Sequence, residues 1–298
     1  MRIEQPTDEA LKEAAAAIRA GRLIGMPTET VYGVAADATN PEAVLATFEA
    51  KGRPAENPLI VHVASIEDAR RLVSGFPAYA LTLAEMYWPG PMTLVLPKGP
   101  QIPPETTAGL ETVAVRVPDH PVALRLIAAS GRPISAPSAN RFMGLSPTSA
   151  EDIEPSVGDR LHMVLDGGRC RVGIESTVVD CTGDRPLVLR PGMAAIATEA
   201  AAPSDRRSPG MYPRHYSPRS PLRIVESLGA RDAGITLKVP QNPLQIRLPS
   251  EPVAYASELY ATLHLLDRSK PPEILVEAPP TSQDWAAIWD RLRKAQGS

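Results

Sequence analysis

A proline-rich segment, residues 203–221, divides the chain into two unequal parts. Its sequence is PSDRRSPGMYPRHYSPRSP. Proline neither donates to a strand ladder nor fits a helix interior, so regular structure cannot persist through this segment. The longer part that precedes it is large enough for a sizeable hydrophobic core. The sequence therefore predicts a large domain at 1–200, a linker at 201–220 and a small domain at 221–298.

Helical and extended patterns alternate on both sides of this segment. The first helical segment places Leu11, Ala15 and Ile18 on one face. The segment TVAVRVP alternates as a strand does, with its valines on one face and Arg116 on the other. Further strands are predicted in LHMVLDGG, STVVDCTG and PLVLRPG. Helices interleaved with strands that end in strand pairs predict an α/β fold with a twisted, mixed sheet, and a second, smaller α/β domain follows the linker.

Charge, hydropathy and cysteine content narrow the function classes. The net charge of -3 gives no global reason to expect a nucleic-acid or membrane partner. No apolar run approaches the roughly 20 residues of a membrane span, and the start, MRIEQPTDEA, has no signal-peptide core. Cys170 and Cys181 are far from a CxxC spacing and are expected to be reduced thiols. We therefore expect a cytoplasmic protein with no membrane partner.

Several familiar catalytic motifs are absent from the sequence. It contains no GxGxxG, no GK dipeptide, no GxSxG and no HExxH. The histidines are scattered and share no metal-ligand spacing; they are His62, His120, His162, His215 and His264. These absences argue against a covalent serine or cysteine enzyme and predict no metal held by the protein's own side chains.

Polar residues gather instead where the predicted strands end. The stretch MPTETVYGVA places two threonines and a glutamate directly after the strand RLIG. Serine, threonine and asparagine follow a second strand in SAPSANRFMGLSPTS, and more polar residues stand at the strand ends in GIESTVVD and LRPG. Ligands of α/β folds bind at strand ends. The pattern therefore predicts a cleft for a polar, anionic small molecule.

Three cations near these strand ends can each be interpreted in two ways. Lys51 and Arg53 flank a glycine at a helix end, where a solvated cap is the ordinary outcome. The prolines that follow Arg53 favour a rigid loop that presents both cations. Arg116 is either a charge at a sheet edge or a fixed fork that binds carboxylate or phosphate. Residue types alone leave these alternatives open.

Seven segments, in chain order, resemble the YrdC-type fold of the L-threonylcarbamoyladenylate synthases. They are PTETVYGVAADA, KGRPAENPLIVHV, PGPMTLVL, VAVRVPDHP, SAPSAN with SPT, GIESTVVD and LRPG. SPGMYPRHYSP is similar to the interdomain linker of the longer, two-domain members. The likeness spans nearly all of 8–220 and is fainter beyond 221, where the tail looks shortened. It implies a YrdC-like twisted mixed sheet with flanking helices and a small C-terminal Rossmann-like α/β domain.

The resemblance also implies a reaction. Members of this family convert L-threonine, bicarbonate and ATP to threonylcarbamoyl-AMP and pyrophosphate, a step towards the t6A modification of tRNA. The threonine amine captures CO2 as a carbamate that attacks the α-phosphate, so the protein need only position anions and neutralise charge. Mg2+ would enter with ATP, bound largely by its phosphates. A separate tRNA threonylcarbamoyl-transferase machinery would receive the product.

Site residues follow from the same matched motifs. Threonine would be held by Thr30, His62, Arg116, the Ala136 backbone and Ser176. ATP would be held by Arg53, Asn57, Thr112, Ser138, Asn140, Ser146, Arg190, His215 and Tyr216. Lys51 and Arg53 would be the catalytic cations beside the phosphates. His215 or Tyr216 would act as a lid that excludes water from the labile product.

Three other functions stay open at this stage. The first is a double-stranded RNA-binding module, although an aromatic content of 4% and a slightly acidic balance favour the enzyme and leave room only for a weak RNA contact. The second is a carbamoyl-adenylate enzyme that uses carbamoyl phosphate, for whose extra domains this chain has neither the length nor the cysteines. The third is an inactive regulator that binds ATP and threonine.

Overall fold

The computed structural model describes residues 1–196 and 214–297. Residues 1–196 form a twisted, mixed sheet with flanking helices, which we call the larger body. The strands of this sheet, in chain order, are β1 (Ile3–Glu4), β2 (Ile24–Met26), β3 (Gly33–Asp37), β4 (Ile60–His62), β5 (Met92–Pro97), β6 (Thr112–Arg116), β7 (Ile134–Ser135), β8 (Met163–Leu165), β9 (Thr177–Asp180) and β10 (Leu187–Arg190). Their spatial order is β1-β8-β2-β3-β7-β4-β6-β5-β9-β10. The central pair β4 and β6 is parallel, whereas β5 runs antiparallel to β6.

Helices flank the sheet, and local sequence signals fix their ends. They are α1 (Asp8–Arg19), α2 (Pro41–Lys51), α3 (Ile66–Arg71), α4 (Ala78–Tyr87), α5 (Pro104–Thr107), α6 (Pro121–Ser130) and α7 (Pro155–Gly158). The Thr7 hydroxyl accepts from the Ala10 N–H at 3.2 Å and begins α1. Proline occupies the first turn of α2, where its missing N–H costs no helical bond. The predicted face of α1 is confirmed, since Leu11, Ala15 and Ile18 are all buried.

A second, smaller sheet follows. It contains β11 (Leu222–Val225), β12 (Gly234–Thr236), β13 (Gln245–Arg247) and β14 (Ile274–Glu277), with helices α8 (Pro252–Arg268) and α9 (Ala286–Gln296). The spatial order is β11-β14-β12-β13, and each neighbouring pair is parallel. Parallel neighbours need crossover connections, the arrangement of Rossmann-like folds. We call β11–β14 with α8 and α9 the carboxyl-terminal unit.

Three strands of the larger sheet, β1, β3 and β5, were not predicted; β1 is only two residues long. All five residues of β3 are buried, but its sequence GVAAD is made of small residues with weak strand preference. The sequence MTLVLP of β5 is a short apolar run, which helices and strands share. The predicted boundaries at 200 and 220 stay predictions, and residues 197–213, with most of the predicted linker, lie outside the described residues.

Two sequence expectations concern membranes and thiols. Within residues 1–196 and 214–297, no helix is both long and apolar enough to cross a membrane. Cys170 and Cys181 are free thiols, as predicted, and both are buried. Burial raises the pKa of each thiol to about 12, so neither is a reactive thiolate at neutral pH.

The carboxyl-terminal unit shares a hydrophobic core with the larger body. Val31, Leu145 and Ile174 from the larger body pack in one cluster with Leu259 of α8 and Ile288 of α9. At Gly173 the backbone of the larger body lies close to the backbone of α8. Gly173 has a φ of 76°, and a Cβ placed there would lie 2.6 Å from the Ala256 carbonyl oxygen of α8. Only a glycine meets both demands.

Gly173→Ala is therefore expected to destabilise the protein more than Gly168→Ala. Both glycines have nearly equal positive φ, 76° and 75°, so the backbone strain is matched, but a Cβ at Gly168 meets nothing within 4 Å. We expect the extra cost at Gly173 to be about 1–3 kcal/mol of unfolding free energy, because α8 must move. Urea unfolding of both variants measures the difference, and equal losses would show that the approach of α8 is not tight.

Candidate active site

A polar pocket lies against one face of the larger sheet, with about 550 Å³ of space between its lining atoms, part of it open to solvent. Its lining residues are Thr28, Thr30, Val31, Arg53, Ile60, His62, Arg116, Ala136, Pro137, Ser138, Glu175, Ser176, Arg190, His215 and Tyr216. Ile60 and His62 are two residues apart in β4 and so share a face of the sheet. All five residues predicted to hold threonine line this pocket, and so do five of those predicted to hold ATP.

The loop between β2 and β3 forms one wall. The Thr28 hydroxyl accepts from the N–H groups of Thr30 and Val31 at 3.2 and 3.1 Å and donates to the Val31 carbonyl oxygen at 2.6 Å. This hydroxyl therefore fixes the turn by replacing backbone partners. The Thr30 hydroxyl is then held at the pocket, where it accepts from Arg116 Nη1 at 3.0 Å.

Arg116 and Glu29 form an ion pair beneath the pocket. Arg116 is 3% exposed and Glu29 is fully buried, and Nη2 lies 2.7 Å from Oε1. Neither atom is aligned for a hydrogen bond within the part of the chain that the structure describes. Burial by itself would raise the pKa of Glu29, but the Arg116 charge outweighs it and holds that pKa below its ordinary value. The sheet-edge interpretation of Arg116 is thus wrong, because β6 lies between β4 and β5.

His62 lies beside Arg116, its register partner in the neighbouring strand. The ring is 2% exposed, and its Nδ1 has no hydrogen-bond partner among the described residues. Burial, reinforced by the Arg116 charge, lowers the pKa of His62 to about 3. The imidazole is therefore neutral at physiological pH and offers an unused polar atom at the pocket.

Lys51 and Arg53 leave the end of α2 and turn inward. They are 2% and 8% exposed, so the solvated-cap interpretation is wrong. Arg53 donates to the carbonyl oxygens of Asn57 and Pro58 at 3.2 and 3.1 Å and lines the pocket. Lys51 Nζ instead donates to the carbonyl oxygens of Ser138 and Asn140. Burial, with the neighbouring Arg53 charge, holds the pKa of Lys51 well below its ordinary range.

Ser176 and Arg190 form another wall of the pocket. Arg190 Nη2 donates to the Ser176 carbonyl oxygen at 2.9 Å and to its hydroxyl at 3.1 Å. The Ser176 hydroxyl also contacts the Thr93 hydroxyl at 2.8 Å. These contacts join the start of β9, the end of β10 and β5, so the position of the Ser176 hydroxyl is set by three strands.

Beside this wall, a buried carboxylate is held by both parts of the chain. Glu175 accepts from Ser146 at 2.5 Å through Oε1, and from Tyr260 and Arg291 at 3.0 and 2.8 Å through Oε2. Burial alone would raise the pKa of Glu175, but the charges of Arg291 and Arg190 lower it to about 2. The importance of Glu29 and Arg291 was not predicted. Glu29 was visible within PTETVYG, but Arg291 lies in a segment whose pattern is that of an ordinary amphipathic helix.

His215 and Tyr216, from the described end of the predicted linker segment, cover the pocket from a third side. The two residues are 5% and 1% exposed. Tyr216 has a φ of 60°, rare for a residue with a side chain, and its hydroxyl has no hydrogen-bond partner in the described parts of the chain. Burial lowers the pKa of His215 to about 3, so its ring is neutral.

Five of the predicted site residues do not line the pocket. Lys51, Asn57 and Asn140 are buried but are not among the lining residues, while Ser146 binds Glu175. Thr112 lies at the start of β6, the opposite end of that strand from Arg116. The predicted roles of these residues in ATP binding or catalysis stay predictions. Within residues 1–196 and 214–297, no group of three histidine, cysteine, aspartate or glutamate side chains could hold a metal ion.

The mixed sheet, the cation-lined pocket on its face and the appended parallel sheet define a YrdC-type α/β protein with a second domain. Residues 16–192 match the Sua5/YciO/YrdC family profile, described as telomere recombination. Residues 174–297 match the profile of the C-terminal domain of threonylcarbamoyl-AMP synthase. The chain belongs to the two-domain threonylcarbamoyl-AMP synthase family.

Individual relatives cover nearly the whole chain. Threonylcarbamoyl-AMP synthase of Pyrococcus abyssi is 38% identical over 96% of this chain and 94% of its own length. The protein of the same name from Bacillus subtilis is 39% identical over 97% of this chain and 94% of its own length. The crystal structure of P. abyssi Sua5 complexed with L-threonine has a TM-score of 0.88 at 37% identity, covering 99% of this chain and 96% of that one.

Glu175→Gln is expected to remove a pH-dependent part of the stability. Because the folded-state pKa of Glu175 is depressed to about 2 from 4.5, its contribution is complete above pH 4.5 and is lost as the pH falls towards 2. Its full size is roughly 3 kcal/mol. Urea unfolding between pH 7 and 3.5 measures the difference in unfolding free energy between the wild type and Glu175→Gln. This difference should be constant above pH 4.5 and should become smaller below it.

Glu85→Gln is the control, because Glu85 is an exposed residue of α4. The difference in unfolding free energy between this variant and the wild type should not become smaller below pH 4.5 as it does for Glu175→Gln. A Glu175→Gln difference that stays constant down to pH 3.5 would contradict the ion pair with Arg291.

Proposed function

We propose that this protein is a threonylcarbamoyl-AMP synthase, which converts L-threonine, bicarbonate and ATP to threonylcarbamoyl-AMP and pyrophosphate. The observation that carries the proposal is one pocket lined by Arg53, Arg116 and Arg190, with unpartnered buried polar atoms on His62 and Tyr216. Buried polar atoms without partners are rare and indicate a polar ligand. The bound L-threonine of the P. abyssi relative supports the same assignment.

On this proposal, Arg116 binds the threonine carboxylate. Its Nη2 is paired with Glu29 and its Nη1 with Thr30, so the guanidinium plane is fixed before substrate arrives. A preorganised guanidinium loses little freedom on binding an anion. The neutral His62 ring adjoins this position and can accept a hydrogen bond from the threonine amine, which must be uncharged to take up CO2.

Arg53 and Arg190 would face the ATP phosphates. Both side chains donate hydrogen bonds to backbone carbonyl oxygens, and these bonds fix the orientation of each guanidinium. Fixed cations in a desolvated pocket stabilise the charge that develops as pyrophosphate leaves. Mg2+ would enter as the substrate complex with ATP, and its remaining ligands would be phosphate oxygens and water. The product adenylate would pass to separate tRNA-modifying machinery.

Substituting lysine for two of the arginines is expected to separate the substrates. Arg116→Lys keeps a charge opposite Glu29 but loses the planar fork, so the KM for threonine should rise roughly 10- to 100-fold. The KM for ATP should stay within about threefold, since the phosphates do not contact Arg116. Arg53→Lys should do the reverse. Pyrophosphate-release kinetics measure both constants, and equal effects on the two substrates in both variants would refute the assignment.

A product assay tests the activity itself. The purified protein is incubated with ATP, Mg2+, bicarbonate and L-threonine, and the adenylate is detected by mass alongside pyrophosphate. Parallel reactions replace threonine with serine or omit bicarbonate. Formation of the adduct that depends on threonine and bicarbonate is expected. Tight binding of ATP and threonine without turnover would indicate a regulator, and salt-dependent RNA binding without either ligand would indicate the RNA module.

A further inference from the structure

Arg291 belongs to α9 of the carboxyl-terminal unit, yet its guanidinium faces the wall of the pocket. The side chain is 1% exposed. Nε donates to Glu175 Oε2 at 2.8 Å, and Nη2 donates to the Glu175 carbonyl oxygen at 3.1 Å. Nη1 donates to the Pro191 carbonyl oxygen at 2.9 Å and to Asp290 Oδ2 at 2.6 Å. All three nitrogen atoms are therefore engaged.

The two attachment points flank residues that line the pocket. Glu175 directly precedes Ser176, and Pro191 directly follows Arg190. Because Arg190 also donates to the Ser176 carbonyl oxygen, the two segments are joined to each other as well as to α9. One guanidinium thus holds both segments that form this wall.

A third segment reaches the same guanidinium through aromatic contacts. The Arg291 guanidinium carbon lies 5.2 Å from the ring centre of Tyr216, within cation–π range. Tyr260 of α8 stacks on Tyr216 with ring centres 6.0 Å apart, and its hydroxyl donates to Glu175. The residue that covers the pocket therefore rests on the same cluster as the wall.

Charge explains why this partner matters for an anion site. Glu175 is a carboxylate in a pocket whose lining otherwise carries the cations Arg53, Arg116 and Arg190. Arg291 neutralises it. Without that partner, a buried carboxylate would repel the polyphosphate of ATP, whereas threonine, a zwitterion, would be affected less.

We propose that Arg291 is a positioning residue, which neutralises Glu175 and holds the wall formed by the Ser176 and Arg190 segments, so that the carboxyl-terminal unit shapes the pocket chiefly on the ATP side, where Arg190 lies. The proposal rests on the proposed function above. It gives the carboxyl-terminal unit a part in catalysis without any direct contact between that unit and the substrates.

Steady-state kinetics of three variants test the proposal. Arg291→Met removes the charge and the hydrogen bonds. The KM for ATP should rise at least tenfold because the unpaired Glu175 repels the polyphosphate, and the KM for threonine should rise by a clearly smaller factor because only the Ser176 contact is loosened. The double variant Glu175→Gln/Arg291→Met also removes the repelling carboxylate. Its KM for ATP should be at least threefold lower than that of Arg291→Met alone. Arg293→Met is the control, because Arg293 is exposed on the same helix two residues away. Its KM values for ATP and threonine should equal those of the wild type.

Thermal unfolding of each variant separates positioning from simple loss of structure. If Arg291→Met does not fold, Tyr260→Phe replaces it, because this change removes a single hydrogen bond to Glu175 and should raise the KM for ATP two- to fivefold. A folded Arg291→Met, or in its place Tyr260→Phe, with an unchanged KM for ATP overturns the proposal. Absence of turnover in the wild type would instead refute the proposed function. In that case calorimetry would measure the Kd for ATP of the same variants, and the same order of effects on Kd as predicted for KM would still support the positioning role of Arg291.

Discussion

The structure depends on placing several charges in the interior and giving each one a partner. Arg116 and Glu29 form one pair, and Arg291 and Glu175 form another, with every member less than a tenth exposed. Removing one member of a buried pair typically costs 3–5 kcal/mol. The fold around the pocket is therefore constrained by these pairs as much as by its apolar core.

The sheet brings the partners together. Parallel strands β4 and β6 end side by side, which sets His62 beside Arg116. β5 runs antiparallel to β6 and β9 runs parallel to β5, so the starts of β5 and β9 lie at the same edge. The carboxyl-terminal unit then closes the arrangement, because Gly173 lets α8 approach and Arg291 of α9 reaches Glu175. The pocket is a product of both parts of the chain, although its lining side chains come from the larger body and the segment that precedes the second sheet.

Local patterns predicted most of the elements, and matched motifs predicted most of the pocket. Periodicity predicts β6 and α1, because alternate valines place one face of a strand in the core and residues at helical spacing place one face of a helix there. β3 could not be predicted in this way, because a run of small residues becomes a strand through its neighbours on both sides. Arg291 could not be predicted either. Its role depends on a contact 116 residues away in the chain, which no local spacing reveals.

A crystal structure of the protein with L-threonine and a non-hydrolysable ATP analogue would test the central claim most directly. The account predicts the threonine carboxylate within hydrogen-bond distance of Arg116, the triphosphate facing Arg53 and Arg190, and Glu29 and Glu175 still paired with their arginines. Threonine bound away from Arg116, or either ion pair broken in the complex, would contradict it.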